Sequence, residues 1–137
     1  MMEKLLAEIT VFVKSELASA ERHFIEGRHS ETWSAVQEVR GEVRRGWWLP
    51  QMPQEEGGMG LDLLDFSQVA EVLGRNPVAH LAFNCQAPDA GNMELLALHG
   101  TSDQKEKFLE PLLAGELNEV VKGIGRQAVG SLESGRI

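Results

Sequence analysis

The sequence contains a single cysteine, Cys85, in 137 residues, so no disulfide can close within the chain. One free thiol suits a reducing compartment, and the cytoplasm is the expected location. Basic residues are scarce: 13 Lys and Arg stand against 21 Asp and Glu, for a net charge of −8. That balance argues against a nucleic-acid-binding surface. The one basic cluster, Arg40, Arg44 and Arg45, is interleaved with Glu38 and Glu42, the pattern of a solvated helix face. No apolar run approaches the roughly 20 residues of a membrane span. The N-terminal stretch carries Glu3, Lys4 and Glu8 inside its apolar periodicity, unlike a secretory signal. His23, His29, His80 and His99 share no metal-ligand spacing, so no metal site is expected. Sustained period-two alternation, the mark of strands, is also absent.

What is present is helical periodicity. Leu5, Leu6, Ile9, Phe12, Val13 and Leu17 form one stripe of a first helix from about Glu3 to Ala20. Gly27 to Ser30 reads as a loop, with Ser30 able to cap a second helix over Thr32–Arg45. Trp33, Val36, Val39 or Arg40, and Val43 mark its inner side, and Gly46 is its stop. Trp47 and Trp48 read as core packing. Pro50, Pro53, Gly57, Gly58 and Gly60 exclude a regular helix over Leu49–Leu61. The Gly57-Gly58-Met59 run lacks the context of a phosphate loop and reads as a backbone reversal.

Further helices follow. Asp62 or Asp65 caps a third, through Leu73 to Gly74, with Phe66, Val69, Ala70 and Leu73 inward. A short one follows Asn76-Pro77, with Val78, Leu81 and Ala82 inward. Another opens at Pro88-Asp89, capped by Asp89 and ended by Gly100, with Met93, Leu96 and Ala97 inward. Thr101 and Gln104 form a capping-box pattern for a last helix. It buries Phe108, Leu109, Leu112 and Leu113, and Pro111 must kink or divide it. The fold class is all-α, a small bundle of five to seven helices with short loops.

Chemistry-bearing residues are few. Cys85 has no basic neighbour in sequence to activate it, and the small-hydrophobe role is preferred. No nucleophile–base–acid set follows from order or spacing. The polar cluster Gln86, Asp89, Asn92 and Glu94 stands at a helix start. Gln86 and Ala90, four apart, can look into one cavity if that helix begins early.

Five blocks in order resemble the N-terminal helical domain of acyl-CoA dehydrogenases. They are Trp47-Trp48-Leu49-Pro50 with Pro53-Gln54-Glu55-Glu56-Gly57-Gly58-Met59-Gly60-Leu61; Val69 to Arg75; Asn84-Cys85-Gln86-Ala87-Pro88-Asp89-Ala90-Gly91-Asn92-Met93; Gly100-Thr101 with Gln104-Lys105; and Leu112-Leu113-Ala114-Gly115-Glu116. The resemblance covers residues 1–116 and leaves 117–137 as a divergent tail. There, Leu117, Val120, Val121, Ile124 and Ala128 share one helical face. Glu56 departs from the Tyr or His common in the family's loop.

The resemblance implies an FAD-dependent oxidoreductase of acyl-CoA thioesters in fatty acid metabolism. The family subunit has N-terminal helices, a middle β-domain and a C-terminal four-helix bundle. The flavin lies between the latter two, and a glutamate removes the α-proton while hydride passes to FAD. By similarity, Gln86, Ala87, Ala90 and Met93 face the acyl chain as one wall of its pocket. No catalytic or cofactor-binding residue is assigned within this sequence, so whether it is an enzyme is left open. The expectation is a truncated domain that is inactive and binds no FAD by itself. The alternative is a non-catalytic helical module that docks on a partner subunit or self-associates through exposed apolar surface.

Overall fold

A computed structural model describes residues 1–116. The expected amphipathic tail, 117–137, lies outside the described residues. The chain divides into two compact units, one ending at Gln86 and the other beginning at Ala87. All regular structure among the described residues is helical.

The first unit holds α1 (Met2–Glu16), α2 (Ala18–Ile25), α3 (His29–Val43), α4 (Leu63–Leu73) and the single-turn α5 (Ala79–Ala82). Helix α2 packs on α3, α1 packs on both α2 and α4, and α5 on both α3 and α4. Ile9, Leu17, Val36, Val43, Val69 and Leu73 fill the resulting core. The apolar stripe of the sequence is therefore real, but its expected single helix to Ala20 is broken. At Leu17 the backbone turns to φ −97°, ψ 0°, and a new helix continues to Ile25. Leu17 is fully buried, and the bend lets its side chain enter the core while α2 turns to lie on α3. With no glycine or proline at this point, nothing in the local sequence marks it.

Helix α3 also starts three residues earlier than expected and ends two earlier. Its cap position is Arg28, with no side-chain hydrogen bond, so Ser30 is a helical residue and not the cap. A second correction concerns the arginine cluster. Arg45 and Arg44 are exposed, but Arg40 is buried. Its guanidinium lies 4.9 Å from the Trp33 ring centre and 5.3 Å from that of Trp48, and Nη2 donates to the Leu81 carbonyl at 2.6 Å. Arg44 also lies over the Trp48 ring, 3.9 Å from its centre. Trp47 stacks with Phe83 at 6.1 Å and meets the edge of Phe12 at 5.1 Å. Both tryptophans thus pack, as the sequence suggests, and Trp48 also gives a cation its aromatic face.

The loop from Leu49 to Leu61 contains only one 3-10 turn, Gln54–Glu56. It folds back on itself: Met59 N–H donates to the Leu49 carbonyl and Gly60 N–H to that of Met52. The reversal delivers the chain to Asp62, whose side chain accepts from Asp65 N–H at 2.8 Å and caps α4. Asn76 makes the next turn by accepting from Val78 N–H at 2.9 Å.

The second unit contains α6 (Asp89–His99), α7 (Ser102–Gln104), a π turn (Lys105–Leu109) and α8 (Glu110–Leu113). Thr101 and Gln104 make both bonds of the capping box, at 3.0 and 3.2 Å. Pro111 acts as expected and divides the last helix. It has no N–H to give the carbonyl four residues back, and the π turn, in which Glu110 N–H reaches the Lys105 carbonyl, absorbs the mismatch. Asp89 does not cap α6. The cap position is Pro88, without a side-chain bond, and Asp89 is the first helical residue with its carboxyl group buried. An acid there still faces the positive end of the helix dipole.

Candidate functional site

The loop and helix carrying the expected acyl-facing residues are built in two steps. Leu81 closes the turn after α5, where Asn84 takes a left-handed φ of 57°. Gln51 Nε2 donates to the Asn84 carbonyl at 3.2 Å, tying this turn to the proline-rich loop. Gln86 follows, half-buried and outside any helix, as the last residue of the first unit. Ala87 is exposed and joined to Pro88 by a cis peptide bond. Ala90 is half-buried in the first turn of α6, and Met93, one turn on, has no exposed surface.

Ala90 and Met93 are thus brought to neighbouring positions on one helix face. Because α6 begins at Asp89, Gln86 does not share that face. Gln86 and Ala87 occupy the approach to the helix instead. Leu96 and Ala97, expected inside, are only half-buried.

Cys85 sits at the centre of this stretch. Burial pushes its thiol up to about 12, and Sγ lies 3.7 Å from the His80 carbonyl, which also accepts from Cys85 N–H. A thiol in that environment is a small hydrophobe and a poor nucleophile. The unfolded thiol ionises near 9 while the folded one holds its proton, so above pH 9 the native state binds more protons than the unfolded state. This contribution to stability is complete below pH 9 and is lost progressively as pH rises towards 12. Denaturant titrations should therefore show stability falling over that window. Cys85→Ala should flatten that fall, and the native thiol should react with a disulfide reagent far more slowly than in denaturant.

Two grooves were not foreseen from the sequence. The first unit has one of about 520 Å³ between α1 and the end of α3, over Phe12 and Trp47 and rimmed by Glu8, Glu16 and Glu42. The second unit has one of about 340 Å³ between α6 and the π turn, lined by Leu95, Leu96, His99, Gln104 and Phe108 among others. The signal for the second was available. Met93, Leu95, Leu96, Ala97 and Leu98 make α6 apolar on nearly every side, the pattern of a helix covered on more than one face. Leu95 and Leu98 are 59% and 76% exposed.

The chain matches the model of the acyl-CoA dehydrogenase N-terminal domain over residues 2–116. The chain belongs to the acyl-CoA dehydrogenase family. It is similar to acyl-CoA dehydrogenase family member 11 of Gallus gallus, 36% identical over 125 residues, which are 85% of this chain and 16% of that protein. To family member 10 of Mus musculus it is 30% identical over 126 residues, again 85% of this chain and 12% of the relative. A solved Mycobacterium abscessus structure, assigned as an acyl-CoA dehydrogenase, superposes with a TM-score of 0.73 at 35% identity. That match covers 83% of this chain and 31% of the other. The chain therefore spans about one sixth and one eighth of these two curated relatives' lengths and about one third of the solved structure. The helical N-terminal fold read from the ordered sequence blocks is thereby established.

Complete enzymes of the family use FAD, and the two grooves described above lack the donors its pyrophosphate needs. A dinucleotide needs donors for its pyrophosphate, commonly from a glycine-rich turn at a helix start or from basic side chains. The 520 Å³ groove presents carboxylates, and the 340 Å³ groove carries no Lys or Arg. The groove that does hold Lys14 and Arg75 measures about 130 Å³, below the range of ligand pockets. Among the described residues no group of three or more His, Cys, Asp or Glu is arranged to hold a metal ion. No described helix is long and apolar enough to cross a membrane.

Proposed function

We propose that these residues serve as the N-terminal helical domain of an acyl-CoA dehydrogenase and form one wall of its acyl-CoA pocket. The observation that carries this reading is the match over residues 2–116 combined with a shared fold at 35% identity. In the assembled enzyme Ala90 would present a small apolar surface to the acyl chain, with Gln86 and Ala87 at its edge and Met93 behind it. Met93 would act from beneath, setting the position of the helix, because it is already fully buried. Small and apolar groups suit this role, since a hydrocarbon chain is held by exclusion of water and by shape. The wall would also keep water from the flavin.

The exposed leucines of α6 support membership of a larger body. Leaving Leu95 and Leu98 in water forfeits roughly 1.5–3 kcal/mol each relative to burial. A further domain laid over α6 would recover that energy. Catalysis in this reading belongs to protein outside these residues: FAD supplies the hydride acceptor when bound, and the chain contributes containment. The purified 137-residue chain is expected to carry no flavin absorbance and to leave saturated acyl-CoA unchanged in the presence of FAD and an electron acceptor. Stoichiometric flavin together with enoyl-CoA formation would overturn the inactive-domain reading.

A further inference from the structure

The groove between α1 and the end of α3 lies in the first unit, and none of the residues proposed for the acyl wall lines it. Its floor is apolar: Val11, Phe12 and Trp47, with Val11 67% exposed on the helix surface. Its rim is acidic on both sides, Glu8 and Glu16 from α1 and Glu42 from α3. Lys4 pairs with Glu8 at 3.8 Å in an exposed position, a contact of little strength. Lys14 lines a separate groove with Glu21 and Val72, and Arg44 lies over Trp48.

An apolar surface with two carboxylates from α1 and one from α3 complements one kind of occupant well. A helix with an apolar stripe flanked by Lys or Arg would bury the stripe on Phe12 and Trp47 and bring its cations to the glutamates. From Glu8 to Glu16 the trough is about 12 Å long, room for roughly two helical turns. We propose that this groove docks a basic amphipathic helix of a partner protein. Charge selects that partner over a second copy of this chain, because two chains of net charge −8 repel.

Trp47 reports on the groove, so binding can be read by tryptophan fluorescence and calorimetry on the full 137-residue chain. The probe is a synthetic peptide with leucines at helical spacing and lysines on both flanks. Its controls are a scrambled peptide of equal composition and a leucine–glutamate counterpart. The lysine peptide should bind saturably at one site, more weakly as salt is raised, and the controls should not. Replacing Glu8→Gln, Glu16→Gln and Glu42→Gln together should weaken binding about tenfold. Val11→Asn, on an exposed helix position, should weaken it without lowering the melting temperature. Equal binding of the scrambled peptide, or unchanged affinity in both variants, would overturn the proposal. So would a chain dimer in sedimentation that excludes the peptide.

Discussion

Arg40→Ala lowers the unfolding free energy by about 3–5 kcal/mol, a loss measured by urea denaturation. Three effects combine. The side chain fills space between Trp33 and Trp48 and is only 1% exposed, so truncation leaves a cavity whose aromatic walls cannot collapse freely. Its Nη2 is a donor to the Leu81 carbonyl at 2.6 Å; that carbonyl keeps the Asn84 N–H at 3.2 Å, so the loss here is that of one charge-assisted bond, about 1.5–3 kcal/mol. The attraction of the cation to two indole faces is lost as well, at about 0.5–2 kcal/mol for a desolvated contact. Arg40→Met keeps most of the stem volume and should recover about half of the loss. Arg40→Lys should remain clearly destabilised, because an ammonium cannot lie flat between two rings while reaching the carbonyl. A change below about 1 kcal/mol for Arg40→Ala would show that the residue is not a structural cation.

Gly58→Ala should be comparably severe, at about 3 kcal/mol or more. A Cβ at this position would lie 2.1 Å from the Met52 carbonyl oxygen and 2.7 Å from that of Leu49. Both obstacles are backbone, and both belong to a turn already committed to hydrogen bonds: Met52 N–H to Leu49, Met59 N–H to Leu49 and Gly60 N–H to Met52. Relief therefore means breaking the reversal that carries the chain from Trp48 to α4. The neighbouring glycine gives the contrast. Gly57 has φ +83° but nothing within 4 Å of its Cβ position, so Gly57→Ala carries only the left-handed backbone cost of about 1–2 kcal/mol. In the middle of α3, Gly41 also has open space and an ordinary φ, and Gly41→Ala should raise stability by about 1 kcal/mol. Thermal melts of the three variants distinguish close approach from backbone conformation and from helix propensity.

The parts of the fold set by local chemistry were legible in the sequence. Asp62, Asn76 and the Thr101–Gln104 pair make their turns with hydrogen bonds two or three residues away, so the residue types alone predict them. Pro111 is readable for the same reason: its missing N–H acts within one turn. The bend at Leu17 was not legible, and helical spacing left Val39 or Arg40 open for the inner side of α3, because each is decided by distant groups. Arg40 looks like one more charge in a mixed helix. The return of Trp48 and Leu81 to the same place gives the guanidinium partners far along the chain. The grooves share that dependence, since Glu42 and Trp47 lie far along the chain from Glu8. Of the residues proposed to face the acyl chain, Ala90 and Met93 share a helix face by spacing, whereas the exposure of Ala87 and the half-burial of Gln86 depend on where α6 begins.

The pocket-wall account is tested most directly by chain-length selectivity in a chimera. Residues 1–116 would replace the matching N-terminal segment of an active full-length relative, and kcat/KM would be measured across saturated acyl-CoA substrates of increasing length. If α6 lines the acyl pocket, Ala90→Leu should reduce kcat/KM for long chains about tenfold relative to short ones, with flavin content and melting temperature preserved. An Ala90→Leu chimera that treats all chain lengths as its parent does would contradict the account.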